Sequence, residues 1–454
     1  MELTEKNVLV YGAGKSGIGA CSLLAEIGAR PILFDENEAL SEQELKLKLK
    51  NGEHVRFAFG KIPGELVREL DLVVLSPGVP TDLPEVMMLR KSGIPIIGEV
   101  ELAYQTGKGR VLAITGTNGK TTTTSLVGAI MKACCPEVFV VGNIGSAYTG
   151  ASLSTTEAST VVAEISSFQL ETIREFKPVV SAILNITEDH LNRHHTMEEY
   201  IRVKEMVTLN QDQNCICVLN HEDPYLREFE KICPAKVFLF SSERKLEEGI
   251  YLDGDKIVVS WEDIHEELLD VNDLKLIGTH NYENVMAAAA VALGAGVSMS
   301  VIREVCLMFK PVAHRIEYID EKNGVIWYND SKGTNPDAAI KGIQAMKRPT
   351  FLIAGGYDKH SDYRGWIRCF GGRVKKLVLE GKTRYDIEKA ALECGFPEDD
   401  IVILDTMRDA MNYCRDNAAS GDAVLLSPAC ASWGEFPNYE VRGDEFRKYV
   451  ETEI

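Results

Sequence analysis

What this sequence lacks narrows its function before any motif is read. No run of lysine or arginine stands out, and 49 Lys+Arg face 68 Asp+Glu, a net charge of −19. A field of that sign repels nucleic acid and anionic membranes, so neither is an expected partner. None of the 11 cysteines pairs across the two-residue gap of a zinc knuckle or a dithiol redox motif. Cys134-Cys135 are adjacent and Cys215-Ile216-Cys217 lies in an apolar stretch, so the cysteines read as reduced structural thiols of a cytoplasmic protein. The longest low-polarity stretch, MAAAAVALGAGV at 286–297, is too short to span a bilayer, so no membrane insertion is expected. The opening residues, MELTEKNVLVYG, carry two acids and run straight into a strand, which argues against a signal peptide. Repeats, low-complexity tracts and long linkers are missing too.

What is present is an α/β alternation. Short apolar runs recur at 7–12, 30–35, 71–76, 110–116, 161–166, 179–186, 215–220, 350–356, 375–381, 400–405 and 423–429, separated by helix-like segments. Most are unbroken rather than alternating, as parallel strands covered on both faces require. GIYLDGDKIVVSW (249–261) alternates about Asp253-Gly254 and predicts a β-hairpin. At 454 residues the chain is too long for one core. Strand-and-loop starts near residues 7 and 99, and after a helix that Pro311 would end, predict three domains: 1–98, 99–311 and 312–454.

Two glycine loops follow strands. Gly12-Ala13-Gly14-Lys15-Ser16-Gly17 opens a helix, and Asp35 ends the next strand. Glycines there let backbone approach a diphosphate at a helix N-terminus, while the acid can accept a ribose hydroxyl. A nucleotide diphosphate is the robust inference; redox use is not. The second loop, Gly116-Thr117-Asn118-Gly119-Lys120-Thr121-Thr122, resembles a P-loop with one glycine missing, since position 114 is Ile114. Loop N–H groups from Gly116 to Lys120 would face phosphate oxygens, Lys120 would reach the β- and γ-phosphates, and the Thr121 hydroxyl would suit Mg²⁺.

Further polar clusters sit at strand ends. Glu164 closes VVAEIS, where an acid can hold Mg²⁺. Asn185-Ile186-Thr187-Glu188-Asp189-His190 follows another strand. His190 and His194, four apart, also fit a zinc pair on a helix, although Asn192-Arg193 and a loop-like context argue against a rigid ligand face. In His280-Asn281-Tyr282-Glu283-Asn284 the two amides can read an adenine edge, or Asn281 can cap the helix that follows. Asp330 and Lys332 in NDSKGTNP present an anion and a cation at the start of a helix.

Together these motifs resemble the Mur ligases of peptidoglycan synthesis. The likeness covers essentially the whole chain: GTNGKTTT (116–123), EISSFQLE (164–171), NITEDHLNR (185–193), HNYENVMAA (280–288), HRIE (314–317) and NDSKGTNPDA (329–338). The ending SPACASWGEFPNYEVRGDEF (427–446) and the start GAGKSG with Asp35 look like the members that add D-glutamate to UDP-N-acetylmuramoyl-L-alanine. In that family the shortened phosphate loop is the normal form.

The resemblance implies an N-terminal Rossmann-like domain, a central P-loop ATPase-like parallel sheet and a C-terminal Rossmann-like domain in a monomer. It implies ATP as co-substrate and two Mg²⁺ ions. Gly14, Lys15, Ser16, Asp35, Ser76, Pro77, Gly78 and Asn143 would take the UDP-linked substrate. Gly116 to Thr122, Asn281, Asn284, Arg315 and Asp330 would take ATP. Thr121, Glu164, His190 and a carbamylated Lys204 would hold metal, and Lys332 would face the phosphates. Lys120, His190, Lys204, Asp330 and Lys332 would form the catalytic set. Thr334, Lys359, Ser432 and Tyr439 would hold D-glutamate. Tyr439 departs from the Phe often found in these enzymes, and the GGYDKHSDY loop (355–363) varies in where its lysine falls. Two other readings stay open: a Mur-type ligase for another amino acid, and an NAD(P)-dependent oxidoreductase built on residues 12–17, which leaves the second loop without a task.

Overall fold

The computed structural model describes residues 2–310, 313–357 and 361–454. Lys359 and Pro311, both singled out above, lie outside the described residues. Three sheets account for the strands. The first contains β1 (Asn7–Tyr11), β2 (Arg30–Asp35), β3 (Arg56–Phe59), β4 (Leu72–Leu75) and β5 (Ile96–Gly98) in the order β3-β2-β1-β4-β5, all parallel.

The second sheet runs β14-β13-β12-β11-β10-β9-β6-β8-β7. Its strands are β6 (Arg110–Thr115), β7 (Val138–Gly142), β8 (Thr160–Glu164), β9 (Val180–Ile183), β10 (Ile216–Asn220), β11 (Lys236–Ser241), β12 (Gly249–Asp253), β13 (Lys256–Trp261) and β14 (Ile264–Asp270). Only β12 to β14 pair antiparallel, and Asp253 faces Lys256 across the tight turn of the expected hairpin. The third sheet runs β15-β16-β20-β17-β18-β19, with β15 (Glu317–Lys322), β16 (Val325–Asn329), β17 (Thr350–Gly356), β18 (Val374–Gly381), β19 (Ile401–Ile403) and β20 (Ala423–Leu426). There only β15 and β16 are antiparallel.

The unbroken apolar strands are covered on both faces. In β1, Val8 and Val10 join one core cluster while Leu9 and Tyr11 join another. In β17, Leu352 and Ala354 face one cluster and Phe351 and Ile353 the other. Each fully buried aliphatic side chain contributes roughly 1.5–3 kcal/mol, so both helical layers are needed. The strands without an apolar run are the exposed ones: β3, β14 and β15 are mostly half-buried or open. Packing divides the chain into two compact units, Met1–Asn272 with Glu283–Cys306, and Asp273–Tyr282 with Leu307–Ile454. No helix among the described residues is long and apolar enough to cross a membrane.

Candidate active site

In the first unit, β6 delivers the chain to Gly116, and the helix Lys120–Cys134 begins directly after Gly119. Gly119 has φ 84°, and a Cβ there would stand 2.2 Å from Asn284 Oδ1, so only glycine fits. A brace from the NITED segment fixes the loop. Thr117 N donates to Asn185 O at 2.9 Å and Asn118 N to Asn185 Oδ1 at 2.8 Å. Asn185 Nδ2 donates back to Asn118 O at 3.1 Å. The Thr117 hydroxyl accepts from Thr187 N at 3.0 Å and meets Tyr200 OH at 3.1 Å. The expectation that every N–H from Gly116 to Lys120 faces phosphate therefore fails at Thr117 and Asn118, whose N–H groups hold the loop's shape. The first-turn N–H groups of the helix, which include those of Thr121 and the buried Thr122, carry the anion-binding capacity instead.

Two lysines converge on one carbonyl of this loop. Lys120 Nζ donates to Gly116 O at 2.8 Å and Thr117 O at 2.9 Å. Lys204, on helix Met197–Glu205, donates to the same Gly116 O at 2.8 Å while only 1% exposed. Burial, and then the Lys120 charge, hold the Lys204 amine well below the usual lysine range, which favours its neutral form.

Glu164 ends β8, whose register places it opposite Ile114 at the approach to the loop. Its Oε1 accepts from Asn143 Nδ2 at 2.8 Å, and its buried Oε2 has no partner. A buried, unpaired carboxylate oxygen is costly, and a divalent cation there would satisfy it. Among the described residues no three His, Cys, Asp or Glu side chains gather as a closed cage. Mg²⁺ is commonly held by one or two carboxylates together with phosphate oxygens, so the donor set fits it.

His190 is exposed, with its ring 4.9 Å from that of Phe168. His194 does not join it as a zinc ligand. Its Nε2 lies 2.9 Å from Ser167 Oγ and its Nδ1 3.4 Å from Glu171 Oε1, and burial drives it down to about 4, so it stays neutral. The zinc alternative is set aside for that reason.

The other glycine loop belongs to the first sheet. Gly12 has φ 101°, and a Cβ would come 2.9 Å from Ser76 Cβ. Gly14 precedes the helix Lys15–Glu26 that carries Ser16. Asp35 accepts from Ala13 N at 2.8 Å and from Asn37 N at 3.0 Å, so one oxygen braces the glycine loop and the other the turn that follows β2. Ser76 Oγ donates to Gly12 O at 3.0 Å, followed by Pro77 and exposed Gly78, and Ser76 O accepts from Val79 N at 3.0 Å. Lys15 Nζ donates to Gly145 O, in the segment that also holds Asn143. Asn284 stays in this unit, where its Oδ1 accepts from Thr123 Oγ1 at 3.3 Å, beneath the phosphate loop.

In the second unit, Asp330 follows β16 and is buried. Ser427 Oγ donates to it at 2.7 Å and Ile316 N at 3.3 Å. Burial raises its carboxyl to about 7, although Ser427 and nearby Arg315 pull the other way. Lys332 Nζ stands 5.7 Å from the ring centre of Tyr439, and Thr334 lies two residues on. Asn281 is in the first turn of helix Thr279–Gly294, its Nδ2 donating to Ile277 O at 2.8 Å, so it is not the helix cap. Buried Ser432 borders a cavity of about 380 Å³ beside Glu380, Trp433 and Arg442.

Sequence reasoning missed two buried arginines. Arg442 donates to Ser331 Oγ and Ser331 O at 2.9 Å each, and to Cys430 O at 3.3 Å, tying the NDSK and SPACAS segments together. Arg193 pairs with Glu171 at 2.6 Å, both nearly buried. Both stood inside quoted motifs, Arg442 in VRGDEF and Arg193 in NITEDHLNR, but nothing in their spacing showed that they point inward.

Three family descriptions match the chain: a MurD-like N-terminal domain of Mur ligases at 6–98, the Mur ligase middle domain at 114–292 and the Mur ligase glutamate ligase domain at 314–430. A UDP-N-acetylmuramoylalanine–D-glutamate ligase of Lachnoclostridium phytofermentans is 53% identical over 450 residues, 99% of each chain. Its namesake from Clostridioides difficile is 45% identical over 451 residues, again 99% of each. Among solved structures, UDP-N-acetylmuramate-alanine ligase MurC from Thermotoga maritima superposes with a TM-score of 0.62 at 17% identity, covering 99% of this chain and 100% of that one. A pseudomurein peptide ligase type C from Methanothermus fervidus gives 0.58 at 18%, with 99% and 100% covered. Those two likenesses speak for the fold, and the two close relatives speak for the branch: the chain belongs to the Mur ligase family, among the UDP-N-acetylmuramoylalanine–D-glutamate ligases.

Proposed function

We propose that the chain joins D-glutamate to UDP-N-acetylmuramoyl-L-alanine, driven by ATP, in peptidoglycan precursor synthesis. The observation that carries the reading is the pair of lysines, 120 and 204, meeting at Gly116 O beneath a helix N-terminus, with Glu164 Oε2 unpaired in the same unit. That arrangement suits phosphoryl transfer, where positioning and electrostatics do almost all the catalysis. An oxidoreductase would have no use for it. The choice of D-glutamate rests on the relatives.

An amine cannot substitute directly at a carboxylate carbon, because oxide would have to leave. The alanyl carboxylate therefore attacks the γ-phosphorus of ATP, giving an acyl phosphate and ADP. The D-glutamate amine then attacks the acyl carbon, loses a proton, and the tetrahedral intermediate expels phosphate. Lys120 leaves its backbone carbonyls for the β- and γ-phosphates and offsets charge as the bond to ADP breaks. Gly116, Gly119, Thr121 and Thr122 hold the phosphates at the helix N-terminus, while Asn281, Asn284, Arg315 and Asp330 serve the rest of ATP.

Lys204, whose burial favours the neutral amine, adds carbon dioxide there and loses a proton, becoming a carbamate anion. Thr121 and Glu164 would hold one Mg²⁺, and His190 with the Lys204 carbamate a second. Bound there, the two ions would neutralise phosphate charge. Gly14, Lys15, Ser16, Asp35, Ser76, Pro77, Gly78 and Asn143 receive the UDP-linked substrate. In the second unit Lys332 faces phosphate, and Thr334, Ser432 and Tyr439 receive D-glutamate, with Lys359 assigned by resemblance alone.

The test is phosphate release from ATP with Mg²⁺ and UDP-N-acetylmuramoyl-L-alanine while the amino acid is varied. D-Glutamate should be preferred over L-glutamate, D-aspartate and L-lysine. Equal rates for all would overturn the assignment.

A further inference from the structure

We propose that Arg193 and Glu171 are positioning residues for the nucleotide-sugar substrate, acting through the Ser76–Val79 turn. The inference rests on the function proposed above for the identity of that substrate.

Arg193 lies on the short helix Leu191–His194 that His190 precedes. Its Nη2 donates to Val79 O at 2.9 Å, a carbonyl of the first-sheet region. The same guanidinium grips Glu171 twice, Nη2 to Oε2 at 2.6 Å and Nε to Oε1 at 3.2 Å. Its carbon lies 5.1 Å from the centre of the Phe168 ring, and the two side chains are 10% and 9% exposed. A desolvated, bidentate pair stacked on an aromatic face has one geometry and keeps it.

The far end of this clamp reaches the substrate loop. Val79 N closes the turn on Ser76 O at 3.0 Å, and Ser76 Oγ binds Gly12 O, also at 3.0 Å. A Cβ on Gly12 would touch Val79 Cγ2 at 3.1 Å, so turn and glycine loop are in direct contact. The near end reaches the proposed metal ligands. Phe168 packs against His190, and Glu164 begins the EISSFQLE segment that Glu171 ends. His195 and Asp82, 3.1 Å apart but largely exposed, make a second and weaker contact along the same seam. Arg193 therefore fixes where the first glycine loop stands relative to His190 and Glu164. It touches no reacting atom itself.

The experiment compares Arg193→Ala, Arg193→Lys and the double variant Arg193→Ala/Glu171→Gln with the parent. Readouts are the Kd for UDP-N-acetylmuramoyl-L-alanine by calorimetry without ATP, the KM of each of the three substrates, kcat, and thermal melting. Arg193→Ala should weaken nucleotide-sugar binding about tenfold or more, with the KM for ATP within about twofold of the parent. Arg193→Lys, able to reach only one partner, should fall between. The Ala single variant leaves a buried carboxylate uncompensated and melts early, whereas the double variant neutralises it and should recover the melt but not the affinity. Parental nucleotide-sugar affinity in the double variant, or equal rises in all three KM values, would overturn the proposal. Should the parent bind the UDP compound but add no D-glutamate, the proposed function fails and the Kd series still decides the clamp.

Discussion

The two glycine loops of the first unit are built on one plan and stabilised in opposite ways. Each leaves the end of a central parallel strand, turns on a glycine at positive φ and opens a helix with a lysine. Beneath the first loop lies an anion, Asp35, with its two oxygens on backbone N–H groups. Against the second lie two amines on one carbonyl, the Lys120 cation and the buried Lys204, which burial and that charge push toward its neutral form. A carboxylate under a loop sets its shape and adds nothing to pull on phosphate. The Lys120 charge, parked on backbone carbonyls, is free to move to phosphate when it arrives and stabilises charge as it moves. The first loop is suited to grip a nucleotide that leaves unchanged, and the second to consume one.

That contrast is broken most directly by Lys120→Ala. Turnover should fall about a thousandfold or more, because no other cation sits at that carbonyl in position to replace it. The corresponding change in the first loop, Lys15→Ala, should raise the KM for the nucleotide sugar only a few-fold, since it removes one exposed bond to Gly145 O. Similar losses of kcat from both variants, measured by phosphate release, would erase the distinction. Lys204→Ala should cost about a hundredfold or more, and short-chain carboxylic acids should restore part of it by standing in for the carbamate. Failure of every acid to do so would remove the carbamate from the mechanism.

How much of this was legible in the sequence depended on burial. Strands β1, β2, β6 and β17 were placed within a residue or so, because both faces are covered and the chain must be apolar throughout. Strands β3, β14 and β15 were passed over, being open on at least one side and without an apolar run to read, and so were β5, β7 and β11, although each carries apolar residues. The same divide governs the site. Glycine loops and Glu164 carry local patterns, whereas Lys204 came only with the family resemblance. Arg193 and Arg442 do not, because they bind carbonyls at Val79, Ser331 and Cys430 and side chains far along the chain, Glu171 and Ser331, and no local pattern announces either.

A smaller effect sharpens the comparison from the anionic side. Asp35→Asn keeps one acceptor oxygen but turns an amide N–H toward a backbone N–H, so one loop bond is lost. The KM for UDP-N-acetylmuramoyl-L-alanine should rise about tenfold with kcat changed less, as steady-state kinetics would show. A fall in kcat at unchanged KM would instead give the acid a part in the chemistry.

The last effect is thermodynamic and needs no substrate. In nucleotide-free, metal-free and CO₂-depleted buffer, burial in the folded protein holds the Lys204 amine well below the usual lysine range, while the unfolded chain protonates it at the ordinary lysine pKa of about 10.4. Below that value the unfolded state binds more protons, so stability rises with pH through the window between the depressed folded pKa and the ordinary one. One full proton of difference gives a slope of about 1.4 kcal/mol per pH unit. Urea midpoints between pH 7 and 9 should therefore climb in the parent relative to Lys204→Met, which has nothing to titrate. Lys15→Met, altering an exposed lysine of the first loop, should leave the parent's slope intact. If Lys204→Met and Lys15→Met behave alike, the lysine pair on Gly116 O is ordinary solvated charge, and the two loops differ in sequence but not in electrostatics.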